Sequence, residues 1–122
     1  MSQKKLIFVY GTLKRGGLNH HYLAGQDFSG EARTAPGRRL FDLGGFPGLV
    51  ARPEDTEGVV GEVWSVDDAC LAGLDVLESI DENFYRRETV ALLPPFAGQT
   101  VEAYVYPHDV AGRAEIGAVW TE

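Results

Sequence analysis

The acid at Glu78 occupies a place where a helix should be apolar. On a wheel that advances about 100° per residue with Leu71 at zero, Leu74 lies at about 300°, Cys70 at about 260° and Leu77 at about 240°. Glu78 then falls at about 340°, between Leu71 and Leu74, inside the arc that should face the core. A carboxylate enclosed by apolar groups resists ionisation, which makes it a better proton acceptor near neutral pH than an exposed glutamate. Two other readings stay open: the helix ends at Leu77 and Glu78 enters a solvated loop, or Glu78 pairs with Arg86 or Arg87. Asp81 and Glu82 read as part of the polar link before Phe84.

A second group with chemical potential is backbone. Tyr10-Gly11-Thr12-Leu13-Lys14-Arg15-Gly16-Gly17 follows a short apolar run. Gly11 has no Cβ, so a ligand can approach its backbone closely. Successive free N–H groups in such a turn can hold an anionic or carbonyl oxygen, although a plain strand-to-loop turn has the same composition. Gly11 and Gly16 have the separation of a phosphate-binding loop, but Gly17-Leu18 stands where that motif needs Lys-Ser/Thr, so nucleotide binding by this route is excluded. Lys14 and Arg15 read as solvated cations able to guide an anionic substrate.

The remaining reactive residues point nowhere else. His20 and His21 are adjacent and cannot share a face, His108 is distant, and Cys70 is the lone cysteine, so no zinc-ligand spacing exists and no metal site is expected. Cys70 lies on the apolar arc and reads as an inert core residue. Ser79 lacks the Gly-x-Ser-x-Gly setting of a hydrolase nucleophile. Tyr85 and Arg87 share one strand face, with Arg86 on the other.

These groups need elements to position them. Leu6–Val9 reads as a buried strand ended by the glycine turn, and Asn19–Leu23 as one or two helical turns. Further strands are expected at Phe28–Ala35, Arg38–Leu43, Leu49–Ala51, Val59–Val66, Phe84–Leu93 and Gln99–Tyr106. Gly61 inside a strand marks a bulge or a close approach. In the last strand Val101, Ala103 and Val105 alternate with Glu102, Tyr104 and Tyr106. The one substantial helix runs from Asp67 or Asp68 to Glu78, and Ser65-x-x-Asp68 resembles a capping box. Many short strands with one helix define an α+β class with a strongly curved sheet.

Composition agrees. The 122 residues suit one domain, and 44% hydrophobic residues can build a core. A net charge of -7 argues against nucleic acid and anionic membranes as partners. No apolar run reaches the roughly 20 residues of a membrane helix, the N-terminal stretch is too short for a secretion signal, and a lone thiol suits a reducing compartment; the expected location is the cytoplasm.

Taken together, Phe8-Val9-Tyr10-Gly11-Thr12-Leu13-Lys14-Arg15-Gly16 resembles the signature of the γ-glutamyl cyclotransferase-like superfamily. The likeness is to the branch of the γ-glutamylamine cyclotransferases and plant avirulence-induced proteins. Gly58-Val59-Val60-Gly61-Glu62-Val63-Trp64 is similar to the family's central strand. Leu74-Asp75-Val76-Leu77-Glu78 followed by Tyr85-Arg86-Arg87 resembles its Leu-Asp-x-x-Glu … Tyr-x-Arg pattern. Phe46-Pro47-Gly48-Leu49-Val50 and Tyr104-Val105-Tyr106 fit as well. One departure is Ser79-Ile80-Asp81-Glu82-Asn83-Phe84, where the family often has glycine after the acid and a proline soon after.

The resemblance implies a small mixed β-barrel with one main helix and flanking short helices. It implies a cofactor-free enzyme acting on a small γ-glutamyl substrate, with Tyr10, Gly11, Thr12 and Leu13 holding the γ-glutamyl group and Glu78 as the general base. The reaction would be attack of the substrate's α-amine on its own γ-carbonyl, releasing 5-oxoproline and an amine. Tyr85 and Arg87 would support the pocket, with Arg87 pairing an acid as the other option. A non-catalytic module that binds a γ-glutamyl or carboxylate metabolite on the same fold is the alternative.

Overall fold

The structure, a computed structural model, describes residues 4–121; the extreme N-terminal residues used in the leader argument lie outside that range. In chain order the elements are β1 (Lys5–Val9), a single 3-10 turn (His20–Leu23), β2 (Asp27–Arg33), β3 (Arg38–Asp42), β4 (Pro47–Ala51), β5 (Val60–Val66), α1 (Asp68–Leu77), β6 (Arg86–Val90), β7 (Val101–Val105) and β8 (Glu115–Gly117). The strands form one mixed sheet in the order β2-β5-β1-β7-β4-β3-β8, with β6 also paired to β7. The β1–β7 and β4–β7 ladders are parallel and the others antiparallel.

The α+β class holds, but the sheet is not a closed barrel. Around the back, the segments that follow β2 and β6 meet only through the isolated bridge of Thr34 with Leu92, beyond the ends of both ladders. The alternation in β7 has a different meaning from a wet and a dry face. Val101, Ala103 and Val105 join one apolar cluster while Tyr104 and Tyr106 join a second, so the sheet is buried on both sides. Likewise β1 sends Ile7 and Val9 to the second cluster and Phe8 to the first. That explains the unbroken apolar run at the start of the chain, which two-sided burial requires.

Gly61 is a close approach and not a bulge: a Cβ there would lie 2.3 Å from the Val9 carbonyl oxygen and 2.6 Å from the Phe8 ring. The register shift falls instead in β2, between Phe28 and Gly30. Helix α1 packs Leu71 and Leu74 into the second cluster. Its N-cap is Asp67, whose carboxylate accepts the Cys70 N–H at 2.8 Å, so the capping box suggested by Ser65 is not formed. Ser65 is committed to the β1–β5 ladder opposite Leu6. No described helix is long and apolar enough to cross a membrane.

One feature of the topology makes the site. With β6 along one edge of β7, strands β1 and β4 share the other: β1 pairs with Val101–Ala103 and β4 takes over at Val105. The Tyr10 hydroxyl sits at this handover, donating to the Tyr104 carbonyl at 2.6 Å and accepting the Leu49 N–H at 3.2 Å. A side chain thus replaces a ladder bond where the two strands part, and a cavity opens at the divergence.

Candidate functional site

The cavity measures about 400 Å³ and is walled by the Tyr10–Leu13 turn, the Gly45–Pro47 turn before β4, the end of α1, and Phe84, Tyr85 and Tyr104. Glu78 lines it. Helix α1 ends at Leu77, as one of the sequence readings allowed, yet Glu78 does not leave for solvent. As C-cap it keeps near-helical angles (φ -86°, ψ 6°), and its N–H still bonds to the Leu74 carbonyl at 2.9 Å. The wheel therefore extends one residue past the helix proper.

The turn beyond is a Schellman motif: the Ser79 N–H reaches the Val76 carbonyl and the Ile80 N–H the Asp75 carbonyl, both at 3.1 Å. Ser79 takes φ 54°, the left-handed position where glycine is favoured, which gives a physical reason for the glycine often found there in the family pattern.

The half-buried Glu78 carboxylate makes no hydrogen bond or ion pair with another described residue. Both arginines considered as partners are elsewhere. Arg87 bonds Asp75 through Nη1 and approaches Glu102 at 3.4 Å through Nε, while Arg86 is exposed on the opposite face. Burial without compensation pushes the Glu78 carboxyl up to about 7.

Gly11, Thr12 and Leu13 line the same cavity. The loop folds back on itself through Lys14 N–H to Gly11 O (3.1 Å) and Asn19 N–H to Thr12 O (2.8 Å), bonds that use carbonyls and leave the Gly11, Thr12 and Leu13 amides without a described partner. The Asn19 side chain donates to Thr12 Oγ1 at 3.0 Å, and the His20 ring contacts the Leu13 carbonyl at 3.0 Å. Both fix the loop's shape. Gly11 faces Pro47, with 2.6 Å between an added Cβ and Cγ of the proline, so only glycine allows the two turns to stand this close.

Lys14 and Arg15 both have fixed partners, although Arg15 stays exposed. Lys14 Nζ donates to the Trp120 carbonyl at 2.8 Å. Arg15 donates its backbone N–H and its Nε to Glu62, each at 3.0 Å, and lies over the Phe28 ring at 3.9 Å. Glu62, nearly buried, also accepts the Trp64 indole N–H at 3.1 Å. Burial pushes its carboxyl up, and these donors more than reverse that, holding it below its usual range. Glu62 is thus the anchor of the loop's far side.

The ring of Tyr85 lines the cavity while its hydroxyl donates to the Pro47 carbonyl at 2.7 Å. The hydroxyls of Tyr10 and Tyr85 are both spent on tying β4 in place, and burial raises both phenols far above their ordinary value. What these two residues present to a ligand is ring surface. Sequence reasoning left Asn19 and Phe84 unassigned and did not see Tyr104 as a wall of the site. Tyr104 donates to Asp75 at 2.7 Å and so joins the Arg87 pair that braces the last turn of α1. The motif spacing contained Asp75, but only the strand register could show what meets it.

The fold and site together define a class: a small α+β protein whose cleft, where two strands separate, is lined by an acid and by peptide amides that have no partner among the described residues. The chain belongs to the γ-glutamyl cyclotransferase, AIG2-like family, whose model matches residues 7–120. A Vibrio cholerae protein bearing the provisional name γ-glutamylcyclotransferase is 45% identical over 112 residues, covering 92% of each chain. Human γ-glutamylaminecyclotransferase is 39% identical, with 96% of this chain and 84% of that one aligned. Among solved structures, an AIG2-like protein from Mus musculus superposes with a TM-score of 0.68, with 33% identity over 85% of this chain and 76% of that one.

Proposed function

We propose that this chain is a γ-glutamylamine cyclotransferase that converts a γ-glutamyl amide into 5-oxoproline and a free amine. The observation that carries the proposal is the half-buried Glu78 carboxylate, without a described ion-pair or hydrogen-bond partner, sharing one cavity with the free amides of Gly11–Leu13. In the reaction the substrate's α-nitrogen forms a bond to its own γ-carbon. Nucleophile and electrophile are tethered, so folding the substrate supplies most of what a bimolecular encounter would lack. Glu78 takes the proton from the α-ammonium. The carbonyl oxygen gains negative charge and is held by the N–H groups of the Tyr10–Leu13 turn. The C–N bond of the amide then breaks as Glu78 returns that proton to the departing nitrogen, and the second proton shed by the attacking nitrogen ends on the amine, which leaves as an ammonium. Every atom of the substrate is found in the two products, and no electrons are exchanged with a third party.

Tyr10 and Tyr85 contribute ring walls, and Arg87, through Asp75, keeps the last turn of α1 aligned. The experiment is incubation of the purified protein with a γ-glutamyl alkylamide and detection of 5-oxoproline and amine in equal amounts by mass spectrometry. Binding of the amide with no product at any pH would replace the proposal with the non-catalytic module.

A further inference from the structure

A second cavity, of about 350 Å³, opens elsewhere on the sheet, and it shares no lining residue with the cavity of Glu78. Its floor is Ala51 of β4 with Val105 and Pro107 at the end of β7, and Arg38, Arg86, Glu88 and His108 stand around it. The sheet explains why the two arginines meet. Arg38 is opposite Ala51 in the β3–β4 ladder, and Arg86 is opposite Val105 in the β6–β7 ladder. Strands β4 and β7 pair at Leu49 and Val105, so the arginines occupy the outer two of four adjacent strands. By the period of two, Arg38 shares a face with Leu40 and Arg86 with Val90, both members of the first apolar cluster. On a flat sheet three strand spacings would hold the arginines about 14 Å apart. Here the curvature of the sheet turns both toward one hollow.

In a chain of net charge -7 these two cations are set apart. Every other lysine and arginine pairs with an acid, donates to a carbonyl or lies over an aromatic ring. The Arg38 and Arg86 guanidinium groups have no partner among the described residues, and Glu88 on the same wall forms no ion pair with either. Each guanidinium offers a planar fork of N–H donors that matches the oxygens of a phosphate or a carboxylate. One fork is enough for a carboxylate. Two forks from separate strands suit a phosphate, which brings a third oxygen and, as a monoester, a charge of about -1.5 to -2 near neutral pH. The apolar floor gives the rest of such a molecule a surface to cover. His108 forms a fixed part of the wall, because its ring contacts the Asn83 carbonyl at 2.6 Å.

We infer that this cavity binds a small phosphate monoester, with the phosphate held between Arg38 and Arg86 and an apolar body laid on Ala51, Val105 and Pro107.

The test is a titration of the isotope-labelled protein at pH 7 with phenyl phosphate and, separately, with benzoate, followed by backbone amide chemical shifts. Phenyl phosphate is expected to give saturable shifts at Ala51, Arg86, Val105 and His108 and to bind more tightly than benzoate. Arg38→Gln and Arg86→Gln should each weaken phenyl phosphate by about tenfold or more, and the same spectra report whether each variant is folded. Arg86→Lys, which keeps the charge and loses the fork, should weaken it less than Arg86→Gln. Shifts that do not saturate, shifts confined to the Gly11–Leu13 turn, benzoate binding as tightly as phenyl phosphate, or an affinity unchanged in either glutamine variant would each overturn the inference. The γ-glutamyl reading is tested separately, by 5-oxoproline release, and stands or falls independently of these outcomes.

Discussion

Glu78 illustrates how one residue can be stabilised by position and destabilised by charge. Its backbone caps α1, while its side chain sits desolvated with no described partner. The folded carboxyl titrates at about 7 against 4.5 when exposed. Between those values the folded protein holds a proton that the unfolded chain has released. Stability contributed by keeping that proton is fully present below 4.5 and is lost as pH rises through about 7. Urea denaturation at pH 5 and pH 8 should therefore show Glu78→Gln gaining on the wild type by about 1–3 kcal/mol at the higher pH. Because the base must be deprotonated to act, kcat/KM for a γ-glutamyl amide should rise with pH along a limb centred at about 7. Glu78 was visible from the sequence because an acid broke an apolar arc. That it faces a cavity and not a salt bridge was not, since nothing local says that Arg87 prefers Asp75.

Among the elements, the end of α1 governs the site. Ser79 occupies a left-handed position, which costs a non-glycine residue about 1 kcal/mol. Ser79→Gly is expected to raise stability by about that amount, read from the shift in denaturant midpoint. The brace on the same turn works in the other direction. Arg87 and Asp75 have side chains 25% and 31% exposed, between a surface pair worth little and a buried pair whose rupture is severe. Arg87→Met should destabilise by about 1–2 kcal/mol in the same measurement.

At this scale the strands were legible wherever apolar residues run together, as in β1 and β5. The three-residue β8 was missed because Glu115–Gly117 has no periodicity to read. The helix end was hard to place because the usual glycine signal is replaced by Ser79. The alternation of β7 was seen correctly, but period two cannot tell a wet face from a second core; that depends on which strands arrive later in the chain.

Over the whole molecule, loops far apart in sequence are pinned by acids that composition counts only as surface charge. Asp55, its side chain 2% exposed, accepts N–H bonds from Gly37, Arg38, Glu57 and Gly58 and pairs with Arg39 at 3.2 Å. Burial pushes its carboxyl up, but the bonds from Gly37 and its neighbours more than reverse this and hold it at about 2. The folded value lies below the 3.8 of the free group, so this stabilisation is present above about 4 and is lost as pH falls toward 2. Asp55→Ala should lower Tm by several degrees at pH 7, with the gap to the wild type closing in acid. The polar loop around Asp55 was legible, whereas the staple was not, because Gly37, Arg38 and Arg39 reach Asp55 from the other side of the β3–β4 hairpin. The same long-range closure decides that the sheet stays open, joined at the back by the bridge of Thr34 with Leu92, where the family resemblance implied a barrel.

The central claim, that an unpaired acid beside a peptide nest performs the proton transfer, is tested most directly by kcat/KM of Glu78→Gln on a γ-glutamyl alkylamide. The account predicts a loss of about 10²–10⁴-fold at pH 8, with thermal unfolding no lower than in the wild type. Turnover at the wild-type rate in the folded variant would contradict it.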